Sequence, residues 1–398
     1  MTLDKIYHAA FVLKDIIRKT DVIAAPELNP DANIILKTEN LQVTGSFKVR
    51  GAAYKISQLS EEEKARGVIA CSAGNHAQGV ALAATKAGAK SLICLPDNAP
   101  LSKIEATKKY GADVCLVPGV YDDAYNKALE LRDSEGYTFV HPFNDEDVIA
   151  GQGTIGLEIL EQVPDVDAVI VPVGGGGLIS GVAYAIKALN PNVKVYGVQA
   201  SGAPSMVNSI KEGKIKRLAS VTTIADGIAV KEPGDLTFDI VSQYVDELVT
   251  VTDDEVAAAI LALIEQQKLC AEGAGAVSVA AAMFNKVPVA GKKVVCLVSG
   301  GNIDVTILSR VIDRGLLKSG RTLSIQVNLV DKPGQLQGVA NCIADAGGNV
   351  TYINHEKATE DMSITDAYLR ITMETKNFEH IDEILTALSD NGFTYQQF

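Results

Sequence analysis

Short runs of β-branched and aliphatic residues alternate along the chain with longer amphipathic stretches. The runs at 68–71, 91–95, 114–117, 168–173, 195–198 and 294–299 are almost wholly apolar, the pattern of strands buried on both faces. Between them, apolar positions at helical spacing predict helices over 75–87, 101–110, 122–135, 156–162, 178–189, 253–269 and 273–284. Strand–helix alternation of this kind implies an α/β fold, with parallel sheets covered by helices on both faces. In such sheets ligands bind at the carboxyl ends of strands, where loops meet helix N-termini. Several glycine-rich turns fall at those points.

The pattern changes at Leu317-Lys318-Ser319-Gly320-Arg321-Thr322, which has the composition of a short polar linker. Beyond it the pattern predicts a strand at 323–330, a turn at Asp331-Lys332-Pro333-Gly334 and a helix at 335–346. Strands at 349–356 and 367–374, a helix at 380–390 and a last strand at 394–398 follow. That βαββαβ order is ferredoxin-like. The expected division is a region 1–316, a linker 317–322 and a separate unit 323–398.

Composition narrows the function. The chain has 398 residues, 47% hydrophobic and 21% charged, enough for two or three domains and incompatible with global disorder. No apolar run reaches the roughly 18 residues of a membrane span. Charges interrupt the first residues, MTLDKIYHAAFVLKD, so no signal peptide is expected. A net charge of -13 argues against nucleic acid or an anionic membrane as partner. The six cysteines show no CxxC spacing and are read as reduced core thiols of a cytoplasmic protein. Five scattered histidines give no ligand spacing, and no metal site is expected from them.

Four segments carry candidate chemistry. Gly174-Gly175-Gly176-Gly177 follows the strand at 168–173 and precedes a helix starting at Leu178. Open backbone N–H groups at a helix N-terminus make a phosphate cradle. The plain alternative is a flexible turn, but consecutive glycines there lose chain entropy with no packing return. The loop lacks the GxxxxGK[ST] pattern, so a single phosphate monoester fits better than a nucleotide. Gly151-Gln152-Gly153-Thr154-Ile155-Gly156 satisfies GxGxxG, yet no apolar strand precedes it and no acidic residue stands at the expected distance. Lys48, within Gly45-Ser46-Phe47-Lys48-Val49-Arg50-Gly51, is either a solvated surface lysine or a partly desolvated Schiff-base amine. Ser72-Ala73-Gly74-Asn75-His76-Ala77-Gln78-Gly79 follows the strand at 68–71. Ser72 would serve there as an N-cap, or with Asn75 and the helix N–H groups as a carboxylate site. Ser299-Gly300-Gly301-Asn302 ends the strand at 294–298 in the same way, and Ser299 is either a turn residue or a hydroxyl aimed at a ring nitrogen.

Taken together, SFKVRG, SAGNHAQG, GGGGL and SGGN, in this order, resemble the pyridoxal-phosphate-dependent threonine/serine dehydratases, which share the fold of tryptophan synthase β-subunit and cysteine synthase. The resemblance covers about residues 1–316. The unit carrying DKPGQL resembles an ACT domain, and the two-part arrangement resembles the single-ACT threonine ammonia-lyases. It implies pyridoxal 5'-phosphate as cofactor and a large part of about 1–50 and 151–316 with a small inserted part of about 51–150. By the same resemblance Lys48 binds the cofactor aldehyde and Phe47 and Asn75 flank its ring. Gly174, Gly175, Gly176, Gly177 and Leu178 hold its phosphate and Ser299 meets its ring nitrogen. Ser72, Asn75 and His76 contact the substrate. Ala225-Asp226-Gly227 and Glu272-Gly273 resemble segments lining the ring and substrate. The implied reaction converts L-threonine to 2-oxobutanoate and ammonia, and L-serine to pyruvate, as a first step of isoleucine biosynthesis or in threonine catabolism. Asp331, Gly334, Gln335 and Leu336 would bind an amino-acid effector, with isoleucine as the expectation. A homodimer or homotetramer is implied.

The chain departs from its likeness in two places. Serine racemases of this family have a serine after the residue matching Ser72, and here that position is Ala73, which has no proton to exchange. Some relatives hold a divalent cation through two carboxylates and a carbonyl. The corresponding positions are Gln199, Ala203 and Ser205, so no divalent metal is expected. The alternatives kept open are a serine-preferring dehydratase, a racemase, a β-replacement transferase and an amino-acid-sensing protein with little catalysis.

Overall fold

The computed structural model describes residues 1–357 and 365–398. The chain divides into two compact units, Met1–Asp304 and Val305–Phe398. The first contains ten strands: β1 (Val22–Ala24), β2 (Asn33–Lys37), β3 (Val68–Cys71), β4 (Ser91–Pro96), β5 (Asp113–Val117), β6 (Thr138–Phe139), β7 (Ala168–Pro172), β8 (Lys194–Ala200), β9 (Glu247–Val251) and β10 (Lys293–Leu297). They form a six-stranded sheet of order β1-β2-β10-β7-β8-β9 and a four-stranded sheet of order β5-β4-β3-β6. All neighbours run parallel except β1 and β2.

The physical cause is visible in the burial. β7 is buried at every position, and Val169, Val171, Val195, Val295 and Leu297 meet Ile155, Ile159, Ile179, Val182 and Ile186 in one apolar cluster. A strand covered on both faces needs no polar alternation, hence the continuous aliphatic runs.

Several elements differ from expectation. The helix expected at 156–162 begins ten residues earlier, as Glu146–Gln162, capped by Asp145, which accepts from the N–H groups of Asp147 and Val148. The GxGxxG segment therefore lies inside a helix and does not open one. Its glycines permit close helix crossing: a Cβ at Gly151 would stand 2.7 Å from the Arg50 carbonyl. The helix expected over 253–269 is α-helical only over Asp253–Ala262 and passes into a π-helical turn, Leu263–Gln267. Unexpected helices occupy Leu3–Leu13, Lys48–Ser57, Glu61–Arg66, Ser205–Glu212 and Asp235–Tyr244.

In the second unit a helix, Val305–Lys318, leads into β11 (Thr322–Val330), followed by β12 (Asn349–Glu356), β13 (Asp366–Glu374) and β14 (Thr394–Gln397). Of the residues expected as a short polar linker, Leu317 and Lys318 lie in the last helical turn and Thr322 in a strand. The break between compact units falls earlier, at Asp304. The sheet order is β12-β13-β11-β14, all antiparallel. With the helices Gln335–Asp345 and Phe378–Asp390 this is the ferredoxin-like arrangement.

Candidate active site

The loops leaving β3, β7 and β10 open on one cavity of about 910 Å³ in the first unit. Phe47, Lys48, Ser72, Asn75, His76, residues 174–178 and Ser299 all line it, so the structure brings every predicted catalytic-region residue to one place.

Two backbone contacts set Lys48 beside Ser299. Ser46 forms an antiparallel bridge with Gly300, and the Phe47 N–H donates to the Ser299 carbonyl at 3.1 Å. Lys48 then begins the helix Lys48–Ser57. Its Nζ donates to the Pro142 carbonyl at 2.9 Å and lies 5.3 Å from the Phe47 ring centroid. Burial pulls the ammonium down to about 8, against the attraction of the Glu272 carboxylate. A lysine so placed is partly free base near neutrality, the form that acts as nucleophile or base.

The same helix is anchored from behind by buried charge. Arg50 makes a two-point contact with Glu39, Nε to Oε2 and Nη2 to Oε1, both at 2.8 Å. Its Nη1 donates to Glu158 Oε1 at 2.6 Å and to Thr154 Oγ1 at 3.0 Å. Lys37 completes the network, donating to Glu158 Oε2 at 2.5 Å and to the Thr20 carbonyl at 2.6 Å. Two cations thus face two carboxylates and the formal charges cancel. Arg50 belongs to the SFKVRG segment, yet it lies outside the cavity lining and acts on it through the helix.

In the glycine loop the last strand bond is made by the Val173 N–H, to the Val198 carbonyl at 2.8 Å. Beyond it, among the described residues, no N–H of residues 174–178 donates to a protein acceptor. The loop is held instead by its carbonyls: Thr237 Oγ1 donates to the Gly175 oxygen at 2.6 Å and the Ser180 N–H to the Gly176 oxygen at 2.9 Å. Unengaged N–H groups at the start of the helix Gly177–Leu189 fit a phosphate monoester. The expectation of no packing return is corrected here, because a Cβ at Gly175 would stand 2.5 Å from the Phe143 ring. Glycine is required both for packing and for the cradle.

Ser72 does not cap its helix. Gly74 is the N-cap, without a side-chain bond, and Ser72 Oγ accepts from the Gly74 N–H at 3.1 Å. Among the described residues the N–H groups of Asn75, His76 and Ala77 find no protein acceptor, so this helix start also offers donors to an anion. His76 contributes shape and no charge. Its Nε2 sits 2.8 Å from the Val140 carbonyl, and burial, with the Lys48 charge, pulls the ring down to about 3. Ser299 is buried, and its Oγ makes one long bond, 3.3 Å, to the Ala274 carbonyl. That hydroxyl is free to turn toward a better partner.

Several lining residues were not anticipated. His141 Nδ1 accepts from the N–H groups of Phe143 and Asn144 and its ring meets Phe143 edge-on at 4.7 Å. Burial and Lys48 pull it to about 4. The strand before them, β6, has two residues, too short for a periodicity signal. Asp226, Gly227 and Glu272 line the cavity, whereas Ala225 and Gly273 do not appear in its wall. At the positions compared with a cation site, Gln199 Nε2 donates to the Val173 carbonyl at 3.2 Å and its Oε1 accepts from the Val207 N–H at 2.9 Å. No cluster of three metal-ligating side chains occurs among the described residues.

In the second unit, Asp331 pairs with Lys357 at 2.8 Å, Gly334 caps the helix Gln335–Asp345, the Gln335 N–H donates to the Lys332 carbonyl at 3.4 Å, and Leu336 is exposed.

Comparison with known proteins agrees with this geometry. Residues 13–300 match the family described as pyridoxal-phosphate dependent enzyme. An L-threonine ammonia-lyase of Thermotoga maritima is 51% identical over 395 residues, 99% of this chain and 98% of that protein. One of Geobacter sulfurreducens is 45% identical over 96% of this chain and 95% of its own. Among solved structures, the processed threonine deaminase isoform 2 of Solanum lycopersicum superposes with a TM-score of 0.75 at 38% identity, covering 80% of this chain and 90% of that one. Maize serine racemase gives 0.74 at 36% identity, covering 79% and 98%.

Proposed function

Because the chain belongs to the pyridoxal-phosphate dependent enzymes, we propose that it is a threonine ammonia-lyase, converting L-threonine to 2-oxobutanoate and ammonia. The observation that carries this is the pairing, in one cavity, of a half-buried lysine whose charge is disfavoured with a loop whose N–H groups have no protein acceptor among the described residues.

The donor set fits the cofactor. The N–H groups of residues 174–178 would hold its phosphate, Lys48 its aldehyde carbon, and Ser299 its ring nitrogen. When bound, that group supplies a conjugated ring able to take up the electron pair left as the substrate Cα loses its proton. The protein decides the rest. Ser72 and the N–H groups of Asn75, His76 and Ala77 orient the substrate carboxylate. Lys48 Nζ, lowered toward neutrality, takes the Cα proton. Ser299 offers a neutral hydroxyl rather than a carboxylate, so it does not hold a proton on the ring nitrogen, which favours elimination over transamination. Ala73, beside Ser72 in the wall, has no hydroxyl to exchange a proton on the opposite face. We infer elimination in preference to racemisation on that ground.

The ferredoxin-like unit supports a regulatory ACT role, with an amino-acid effector where Asp331-Lys332-Pro333-Gly334 meets its helix, in a homo-oligomer. Six free thiols suit a reducing, cytoplasmic setting. Steady-state assays of L-threonine and L-serine, with and without isoleucine, test these assignments together. Equimolar 2-oxobutanoate and ammonia from threonine are expected, with the rate altered by isoleucine. No 2-oxo acid from either substrate would overturn the assignment of activity.

A second test uses protein stripped of cofactor. Only neutral Lys48 attacks an aldehyde, so the rate of uptake of pyridoxal phosphate, followed by visible absorbance, should rise with pH and level off above about 8. A plateau reached two units higher would mean that Lys48 is an ordinary solvated lysine.

A further inference from the structure

Asn75 stands in a chain of polar groups whose direction is fixed from both ends. Asn302 Nδ2 donates to the Thr44 carbonyl at 2.8 Å, and a carbonyl can only accept. The same nitrogen donates its other hydrogen to Asn75 Oδ1 at 2.7 Å. Asn75 Nδ2 donates in turn to Glu272 Oε1 at 2.7 Å. The oxygen and nitrogen ends of an amide are assigned through their partners. Here a carbonyl at one end and a carboxylate at the other demand the same assignment. One N–H of Asn75 is used by Glu272, and the other has no protein acceptor among the described residues, in a side chain that lines the cavity. Gly300 leaves room for the chain of bonds, since a Cβ there would stand 2.4 Å from Glu272 Oε1 and 3.2 Å from Asn75 Nδ2.

We propose that Glu272 and Asn302 are positioning residues that lock the Asn75 amide in one direction and so reserve its second N–H for an anionic oxygen of the bound cofactor or substrate. The proposal rests on the cavity being a pyridoxal-phosphate site. Anchored amides are worth more than mobile ones because no reorganisation is needed when the anion arrives. Glu272 adds a pH response. Burial pushes its carboxyl up to about 7, Asp226 adds to this, and Asn75, Lys103 and Lys48 pull it down. Below that pH the protonated group can donate as well as accept, and Asn75 is then held from the Thr44 side alone.

Asn302→Asp and Glu272→Gln test this in the full-length protein. An aspartate at 302 cannot donate to the Thr44 carbonyl or to Asn75 Oδ1, so the Asn75 amide is no longer held in one direction from that end. Loss of one charge-assisted bond should then weaken pyridoxal-phosphate binding or raise KM by at least about tenfold. Weakened cofactor binding with unchanged KM assigns the oxygen to the cofactor, and raised KM with unchanged cofactor binding assigns it to the substrate carboxylate. Glu272→Gln keeps an acceptor but cannot titrate. A protonated-carboxyl infrared band titrating near pH 7 in the parent should vanish in that variant, along with the matching step in its visible absorbance. Unchanged binding, KM and spectrum in N302D, or the carboxyl band persisting in E272Q, would overturn the proposal. If the cofactor still gives its visible band with Lys48 in those variants, the cavity assignment survives. A parent protein giving no such band would overturn that assignment instead.

Discussion

Lys48→Ala should abolish the absorbance band that the cofactor gives when linked to Lys48 and lower threonine turnover by roughly 10⁴-fold, the upper range for loss of a positioned acid–base group. The expectation follows from three facts about one atom. Nζ stands in the cavity wall, it is held by the Pro142 carbonyl at 2.9 Å, and its charge is disfavoured enough to bring it to about 8. The glycine loop and the start of the helix Asn75–Lys86 do not depend on that side chain. Phosphate binding should therefore persist while the covalent link is lost, and pyridoxal phosphate should still bind, reversibly and with the spectrum of the free aldehyde. Equilibrium dialysis with absorbance separates the two. Turnover within tenfold of the parent would show that another group does the work assigned to Lys48.

What the sequence revealed of this site, and what it hid, has a physical pattern. Glycine clusters after aliphatic runs marked the ends of β3, β7 and β10, because loops there must expose backbone donors. Those parts of the cavity lining were legible for that reason. The segment with His141 and Phe143 follows a two-residue strand and carries no periodic signal. Asn302 stood in plain view within SGGN, but its role depends on Thr44 and Asn75, far away in sequence. The start of the helix Glu146–Gln162 was hidden by Gly151, Gly153 and Gly156, which resemble a turn and instead permit close helix contact. Asp145, with its two backbone bonds, was the signal that could have found it. β9 escaped because it is only half-buried along most of its length.

Arg50→Met should destabilise the first unit by about 3–5 kcal/mol, the range for breaking a buried ion pair from one side. Glu39 is fully buried and loses both Arg50 contacts, while Glu158 keeps Lys37. In the parent, burial raises the Glu39 carboxyl, but the Arg50 guanidinium and its bonds win and hold it below the ordinary value. Its contribution is thus present at neutral pH and lost as pH falls through that depressed value. In the variant the sign reverses. Burial without Arg50 raises the carboxyl above its unfolded value, so acid favours the folded form and the stability gap to the parent should narrow as pH falls. Urea unfolding at neutral and mildly acid pH measures both. The double change Glu39→Leu with Arg50→Met should recover most of the loss, because no charge is then left unpaired between them. Because Arg50 lies two residues after Lys48 on one helix, the single variant should also loosen the geometry at Nζ and weaken cofactor retention. A variant as stable as the parent at every pH would mean that the buried network contributes nothing to holding that helix in place.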